Sequence, residues 1–266
     1  MKTLFIGDIV GRVGRETVGA LLPGLRERHG IDLVVANCEN AAGGLGITER
    51  TVREILNAGV DLLTTGDHTF DRKEAPEVLE RESRIVRPAN YPPGTPGRGS
   101  TTLDIDGEVT VGLMSLQGRT FMGALDCPFR AGLVVADRLG ETTPIIICDF
   151  HAEATSEKIA LTYHLAGRVT AVLGTHTHVQ TADERIVAGH TAAITDAGMT
   201  GPSDSVIGMK KSVALDRFLK ARPRRYEIGD GTGVLNGVLL EIDTRSGAAV
   251  SIERLKAEHM GSGESA

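Results

Sequence analysis

Short runs of Val, Ile and Leu alternate along the chain with longer segments in which apolar residues recur every three or four positions. Continuous apolar runs of this kind are typical of strands that are buried on both faces of a parallel sheet. The longer segments have the period of helices that bury one face. The pattern therefore predicts an α/β fold in which mainly parallel strands are covered by helices.

The pattern also gives approximate bounds for the elements. Strands are predicted at residues 3–6, 31–36, 60–65, 101–105, 109–115, 144–150, 169–174, 233–243 and 249–255, the fourth and fifth forming a hairpin around Asp106-Gly107. Helices are predicted at 15–28, after a Thr48 cap, and after a Thr155 cap. Residues 87–99 contain four prolines and three glycines, which predicts a long surface connection.

No internal repeat and no linker separates the two halves of the sequence. We therefore expect both halves to contribute strands to one sandwich of sheets in a single domain over residues 1–259. The small polar residues of 260–266 predict a flexible tail.

Composition narrows the classes of partner. The chain has 266 residues, a formal net charge of −6 and 3% aromatic residues with no Trp. An excess of acid argues against binding long nucleic acid, which requires clustered positive charge, whereas a small phosphate ester remains compatible with it. No apolar run is long enough to span a bilayer, so a membrane protein is not expected.

The cysteines and the first residues bear on location. The chain has an odd number of cysteines, namely Cys38, Cys127 and Cys148. Asp8 interrupts the first apolar run before that run could serve as a signal peptide. We therefore expect free thiols rather than a disulfide framework, and a cytoplasmic protein.

Polar side chains follow five of the predicted strands, at the point where each strand ends. They are Asp8, Glu39 with Asn40, Asp67 with His68, His151, and His176 with His178. Ligands of open parallel sheets bind outside the carboxyl ends of the strands. We therefore expect these side chains to converge on one site.

The His176-Thr177-His178 segment is the sharpest local signal. Side chains two positions apart in an extended segment point to the same side, so both imidazoles are expected to reach one cluster. Together with carboxylates and an amide they suit Fe, Mn, Zn or a similar ion, and the scattered cysteines offer no thiolate cage. The sequence thus predicts a catalytic metal site.

Charge favours two ions at this site. Two divalent ions would leave the carboxylates of Asp8, Glu39 and Asp67 with a net charge of about +1, ready for a hydroxide or a phosphate. Paired ions of this kind activate a bridging water and stabilise the displaced oxygen of a phosphoester. Phosphoester hydrolysis is the chemistry that follows.

Six segments carry a resemblance that covers essentially the whole chain. They are Gly7-Asp8-Ile9-Val10-Gly11, residues 37–44, Gly66-Asp67-His68-Thr69-Phe70-Asp71, residues 149–158, Gly174-Thr175-His176-Thr177-His178-Val179, and residues 195–202. In this order they resemble the calcineurin-like metallophosphoesterases, specifically the bacterial YmdB-type branch of cyclic-nucleotide phosphodiesterases. The resemblance implies a four-layer α/β/β/α sandwich of two mixed sheets flanked by helices.

The same resemblance implies roles for individual residues. The first metal is expected on Asp8, Glu39, Asn40 and His178, and the second on a bridging Glu39, Asp67, His151 and His176, with iron or manganese as the ions. His68 is expected to protonate the leaving alkoxide after a metal-bridging hydroxide attacks phosphorus. The implied reaction opens 2′,3′-cyclic nucleotides at the 2′ bond, and related members also act on 3′,5′-cyclic nucleotides. A homo-oligomer is a further family-level expectation.

One position departs from the resemblance, because the family usually has Asn where this chain has Asp67. A carboxylate there still ligates, but its charge lowers the Lewis acidity of the ions. This leaves two alternatives open: a regulatory protein that binds metal and nucleotide with little catalysis, and a phosphoesterase for another small substrate. His68 has an alternative role too, in orienting Asp67.

Four further residues are assigned outside the metal set. Asp149 and Asp196 are expected to accept hydrogen bonds from the ligating imidazoles. Arg12 and Arg119 are candidates for steadying a phosphate.

Overall fold

The computed structural model of the protein describes residues 1–260. In chain order the elements are β1 (Lys2–Ile6), β2 (Asp8–Ile9), α1 (Gly11–His29), β3 (Leu33–Asn37), α2 (Glu49–Asn57), β4 (Leu62–Thr64), α3 (Ala75–Arg81), β5 (Ile85–Val86), β6 (Ser100–Ile105), β7 (Val109–Gln117), α4 (Pro128–Gly140), β8 (Ile146–His151), α5 (Thr155–Leu165), β9 (Ala171–Thr175), β10 (Arg185–Val187), β11 (Thr191–Ile194), β12 (Met199–Pro202), α6 (Lys211–Lys220), β13 (Gly233–Ile242) and β14 (Ala249–His259). None of these helices combines the length and the apolar character needed to cross a membrane.

The first sheet has eight strands in the order β2, β12, β13, β1, β3, β4, β5, with β14 beside β13. Strands β1, β3, β4 and β5 are parallel neighbours, whereas β13 runs antiparallel to β1. The short strand β2 pairs in parallel with β12, which holds Asp8 opposite Met199. Asp8 and the residues after β3 and β4 therefore lie at one edge of this sheet.

The second sheet has six strands in the order β10, β11, β9, β8, β7, β6. Its central strands β7, β8, β9 and β11 are parallel, and the outer strands β6 and β10 are antiparallel to their neighbours. The strands β8 and β9 end side by side, with His151 paired to Thr175. Histidines of the second sheet can thus meet carboxylates of the first.

The two sheets pack face to face because successive residues of each strand point to opposite sides. Phe5 and Val35 of the first sheet share one core with Ile147 of the second. The alternate residues Leu4, Ile6 and Val34 pack with Val18 and Leu22 of α1 on the outer side of the first sheet, and Met114, Ile146 and Cys148 pack with Val135 of α4 and Leu161 of α5 outside the second. The expected four layers of two mixed sheets between helices are confirmed.

Most predicted strands are present with their bounds moved by a few residues, and the hairpin of β6 and β7 and the irregular connection at 87–99 are confirmed. Thr48 caps α2 by accepting a hydrogen bond from the Thr51 N–H. The Thr155 cap is wrong: Ala154 precedes the helix, Thr155 is its first residue, and no side chain caps it. The domain boundary at 259 stays a prediction, and of the predicted tail, residues 261–266 lie outside the described residues.

Gly174, in β9, allows a close backbone approach beside the site. A Cβ at this position would lie 1.8 Å from the carbonyl oxygen of Thr195, a main-chain atom directly after β11, so the backbone itself would have to shift. We expect Gly174→Ala to lower the free energy of unfolding by about 2 kcal/mol or more. Urea unfolding followed by circular dichroism measures this change.

Gly19→Ala is the matched control. Gly19 lies on the exposed side of α1, and a Cβ there would meet no atom within 4 Å. This substitution should raise the free energy of unfolding by about 0.5–1 kcal/mol, because alanine loses less conformational entropy in a helix. Equal stability of the two variants would contradict the role of Gly174.

Candidate metal centre

The strand ends of both sheets deliver eight polar side chains to one region. They are Asp8 at the start of β2, Glu39 and Asn40 after β3, Asp67 and His68 after β4, His151 as the last residue of β8, and His176 and His178 after β9. Within the described residues, Glu39, Asp67, His151 and His176 each offer a ligand atom that lies within 4.8 Å of those of the other three. The expected convergence is therefore present.

The tightest part of the site surrounds the Nε2 atom of His151, whose ring is fully buried. Asp67 Oδ1 lies 2.9 Å from it and Glu39 Oε1 lies 3.1 Å from it. Nδ1 of His176 is 3.0 Å away. Two carboxylates and two imidazoles thus meet at a single point.

Hydrogen bonds on the far side of His151 decide which way its ring faces. Its Nδ1 lies 2.9 Å from Thr175 Oγ1, and the Thr175 hydroxyl donates to Asp149 Oδ1 at 2.7 Å. Because that hydroxyl proton is used on Asp149, the threonine oxygen accepts from Nδ1–H of His151. The lone pair of Nε2 is consequently directed at the cluster.

His176 and His178 are oriented in the same way. Nε2 of His176 lies 3.0 Å from Glu153 Oε2, so its Nδ1 faces the cluster. Nδ1 of His178 donates to the Ile207 carbonyl at 2.8 Å, so its Nε2 carries the lone pair. All three imidazoles thus present a bare nitrogen inward, as metal-ligating histidines do.

A second pair of acceptors lies beside this cluster. Nε2 of His178 is 3.1 Å from Asn40 Oδ1. The Asn40 amide group donates to the Gly44 carbonyl at 3.0 Å, which fixes Oδ1 as the atom that faces His178. Burial lowers the pKa of His178 and so favours the neutral ring. Two lone pairs that face each other at this distance are stabilised by a cation that both can bind.

Asp8 completes the evidence that the residues fit metal ions. Its carboxylate is fully buried, and Oδ1 has no hydrogen-bond partner in the described structure although it lies 3.8 Å from Nδ1 of His151. Burial raises the pKa of Asp8 to about 7; His151 opposes this rise and Glu39 adds to it. An unpaired buried carboxylate oxygen costs free energy unless a positive charge compensates it.

The electrostatics of His151 lead to the same conclusion. Burial alone would lower its pKa, but the carboxylates of Glu39 and Asp67 raise it well above the usual value. The surrounding carboxylates therefore stabilise positive charge at this position, and a bound metal ion would supply it in place of a proton. This donor set of carboxylates, an amide oxygen and imidazoles fits borderline divalent ions.

His68 lies at the rim of the cluster. Its Nδ1 is 2.8 Å from Asp71 Oδ2, its backbone N–H donates to Glu39 Oε2, and its Nε2 is 4.0 Å from Asp67 Oδ2. Burial lowers its pKa, but Glu39, Asp67 and Asp71 outweigh that effect and raise it above the usual value. The His68 ring thus lies next to the cluster, and its nitrogens take no part in the contacts around Nε2 of His151.

The His176-Thr177-His178 segment is not extended, because His176 and His178 have φ angles of 102° and 65°. The prediction that an extended segment points both rings to the same side is therefore wrong. Such left-handed backbone is strained for residues other than glycine. The two rings therefore reach different parts of the site, His176 next to His151 and His178 next to Asn40.

Asp196 holds this strained turn in place. It accepts hydrogen bonds from the backbone N–H of Thr177 and of Gly198, and its Oδ2 lies 2.8 Å from Nζ of buried Lys158. Asp149 accepts from Asn37, Thr64 and Thr175 and reaches His151 only through the last. The prediction that these two aspartates bond directly to imidazoles is wrong; they fix the backbone and the hydroxyl behind them.

The arginines proposed to steady a phosphate have other partners. Arg12 forms an exposed ion pair with Glu16, and the Arg119 guanidinium lies 3.5 Å from Cys127 Sγ. Glu153 and Asp71 contact the imidazoles of His176 and His68 and were not predicted from the sequence. The only sequence signal is their spacing, since Glu153 follows His151 by two residues and Asp71 follows His68 by three. An exposed acidic residue near a ligand is too common a pattern to indicate this role.

Comparison with known proteins agrees with this geometry. The model of the YmdB-like protein family matches residues 4–255. The chain belongs to the YmdB-like family. Its match spans both sheets and every strand end that delivers a site residue.

Similar proteins cover nearly the same length. The chain is 44% identical over 255 residues to a 2′,3′-cyclic-nucleotide 2′-phosphodiesterase of Bacillus subtilis (strain 168), with 96% of each chain covered. A hypothetical protein from Thermus thermophilus matches with a TM-score of 0.89 at 43% identity, covering 97% of this chain and 99% of that one. A phosphatase structure from Mycoplasma pneumoniae matches with a TM-score of 0.91 at 31% identity, covering 98% and 94%.

Gly66 supplies a direct test of the cluster in this YmdB-like site. A Cβ here would lie 2.2 Å from Cδ2 of His151 and 2.4 Å from Oε2 of Glu39, so Gly66→Ala must displace both side chains. We expect Mn²⁺ affinity at least about tenfold lower, as for other changes that misplace ligands. Calorimetric titration with Mn²⁺ measures it.

Gly140→Ala is the control, because a Cβ at the end of α4 would meet no atom within 4 Å. That variant should bind Mn²⁺ as the unmodified protein does. Unchanged affinity in Gly66→Ala, with the fold intact by circular dichroism, would show that the cations do not bind at this cluster.

Proposed function

We propose that this protein is a metal-dependent phosphodiesterase that hydrolyses 2′,3′-cyclic nucleotides at the 2′ bond and releases 3′-nucleotides. The observation that carries the proposal is the convergence of lone pairs from His151, His176 and His178 on buried carboxylates, with every outward-facing ring nitrogen already hydrogen bonded. The substrate comes from the similarity to the Bacillus subtilis phosphodiesterase. Hydrolysis of 3′,5′-cyclic nucleotides is a further activity to be tested.

Two ions fit the two groups of donors. One would be held by Asp8, Glu39, Asn40 and His178, and the other by Glu39, Asp67, His151 and His176, in accord with the contacts of each group. Iron and manganese suit this mixture of oxygen and imidazole ligands. When bound, such ions supply Lewis acidity toward the phosphate and the means to activate water at neutral pH.

His68 provides the proton for the departing ribose oxygen. Asp71 binds its Nδ1, which leaves Nε2 as the atom that faces the reaction. The Asp71 carboxylate, which lies outside both donor groups, raises the pKa of His68 against the effect of burial, and the ring loses its proton as the pH rises through that value. Asp71 keeps the ring oriented and is therefore a positioning residue.

The activity itself is the first test. Metal-loaded protein should convert 2′,3′-cyclic AMP to 3′-AMP, and His68→Asn should lower kcat by about 10²- to 10⁴-fold while retaining its metal content, as expected for loss of a general acid. Chromatography of the nucleotides and elemental analysis of the protein measure both quantities.

Two further variants serve as the negative and the neutral control for this experiment. Glu39→Ala removes a carboxylate shared by both donor groups, so it should lose metal and activity together. His29→Asn, at the end of α1, should change neither. Turnover that persists in Glu39→Ala, or loss of metal in His68→Asn, would contradict the assigned roles.

Asp67 tests the charge of the site. Asp67→Asn keeps an oxygen next to Nε2 of His151 but removes one negative charge, so we expect metal affinity about tenfold lower and kcat several-fold higher. Steady-state kinetics at saturating Mn²⁺ separate these effects. Asp71→Asn removes the same charge outside the ligand set and should lower kcat by loosening His68. A lower kcat in both variants would show that the Asp67 charge assists catalysis.

We also propose that the protein works in the cytoplasm. All three cysteines are free, with Cys38 and Cys148 buried, and free thiols of this kind persist in reducing compartments. The homo-oligomer implied by the family resemblance stays a prediction.

A further inference from the structure

The loop of residues 118–126 leaves the second sheet directly beside the metal centre. Strand β7 ends at Gln117, whose register partner is His151, and the Gly118 N–H donates to the His151 carbonyl at 2.9 Å. A Cβ on Gly118 would lie 2.6 Å from Cβ of Ala152, the next residue of the ligand-bearing segment. The loop therefore starts against the backbone that carries the ligand.

Buried side chains fix this loop near its start and at its end. The carboxylate of Glu157 accepts hydrogen bonds from the backbone N–H groups of Arg119 and Thr120. The side-chain amide of Asn90 donates to the carbonyls of Gln117 and Asp126. Because these anchors belong to buried residues, the course of the loop is set by the fold.

Phe121 occupies the tip of the loop in an unfavourable state. The Met122 N–H donates to the Arg119 carbonyl, and Phe121 stands third in this turn with a φ of 64°. Glycine is the residue that normally fills such a position, because a Cβ there crowds the backbone. The ring is also 89% exposed. A strained backbone and a solvated aromatic ring at one residue call for a function.

The position of Phe121 suits contact with a substrate. Its Cα lies at most about 11 Å from that of Gly118, given the length of three residues. A nucleotide whose phosphate lies on the metal cluster extends beyond the cluster by its ribose and base. A loop tip no farther than this from the ligand-bearing backbone is at a distance that a ribose and base can cover.

Other aromatic rings among residues 1–260 are less suited to this role. Phe70 and Tyr91 pack edge to face, with their centroids 5.4 Å apart, so each ring already has a partner. The other strongly exposed rings, Tyr163 and Phe218, lie near the C-terminal ends of α5 and α6. Phe121 is thus an exposed aromatic face on a loop that begins at the site, and unlike Phe70 and Tyr91 it packs against no other aromatic ring of the described residues.

We propose that Phe121 is the stacking face for the base of the nucleotide substrate. The inference rests on the proposed function and extends it to the nucleoside part of the substrate. Because every base has a π face, stacking favours nucleotides over simple cyclic phosphates and discriminates little between bases. Phe121 is a specificity-determining residue that binds substrate and takes no part in the bond cleavage.

The test compares two substrates that share the cyclic phosphate and differ in the base. They are 2′,3′-cyclic AMP and methyl ribofuranoside 2,3-cyclic phosphate, in which a methoxy group replaces adenine. Phe121→Ala should raise KM for the nucleotide about tenfold with kcat within twofold, as expected for loss of one base stack. KM for the methyl riboside should not change.

Two further variants isolate the ring. Phe121→Trp keeps an aromatic face and should restore KM for the nucleotide. Phe218→Ala removes another strongly exposed phenylalanine, which lies in α6 and is 82% exposed. This variant should leave KM for both substrates unchanged. The proposal would be overturned if KM is unchanged in Phe121→Ala or rises equally for both substrates. It would also be overturned if light scattering shows that Phe121→Ala changes the molecular mass of the protein in solution while KM stays the same.

Binding of 3′-AMP, measured by calorimetry, separates this inference from the proposed function. If the unmodified protein hydrolyses neither substrate but Phe121→Ala weakens 3′-AMP binding about tenfold, the proposed hydrolysis fails and the base subsite stands. If hydrolysis occurs and Phe121→Ala leaves both KM and 3′-AMP affinity unchanged, the subsite fails and the hydrolase stands. Absence of both hydrolysis and binding overturns the two together.

Discussion

The structure depends on an arrangement of hydrogen bonds that points electron pairs at one another. Each of three imidazoles donates a hydrogen bond to an oxygen on the side away from the cluster. The acceptors are the Thr175 hydroxyl for His151, the Glu153 carboxylate for His176 and the Ile207 carbonyl for His178. Their second nitrogens then face carboxylates and an amide oxygen in a buried space. Without positive charge this assembly would be repulsive, so the outward hydrogen bonds define the site as a receptor for cations.

Much of this site was predictable, because continuous apolar runs mark where buried strands end. Asp8, Glu39 and His151 follow such runs directly, and parallel strands bring their ends to one edge. The sequence does not reveal which strands are neighbours. Strand β13 pairs with β1 across more than two hundred residues, and nothing local to either indicates this pairing. The helices α3, α4 and α6 were not predicted: none begins with a side-chain cap, α3 has only seven residues, and α6 exposes Phe218 and Leu219.

The supporting residues could not be predicted for a different reason. Lys158 lies within a helix, where lysine is normally solvated, and its burial has a cause only once Asp196 is seen beside it. The left-handed backbone of His176 and His178 likewise has no sequence signature, since either residue is compatible with a strand. Local sequence patterns thus identify the ligand-binding side chains more readily than the hydrogen bonds that orient those side chains.

The buried Asp8 oxygen without a partner has a consequence for the behaviour of the whole chain. The folded state bears the cost of enclosing that charge, whereas the unfolded chain leaves it in water. A cation that binds only the native form repays the cost, and above its dissociation constant each tenfold rise in free metal adds about 1.4 kcal/mol to the stability. Metal supply and the folded population are therefore linked, so a cell that starves the protein of its ions also makes it more susceptible to proteolysis.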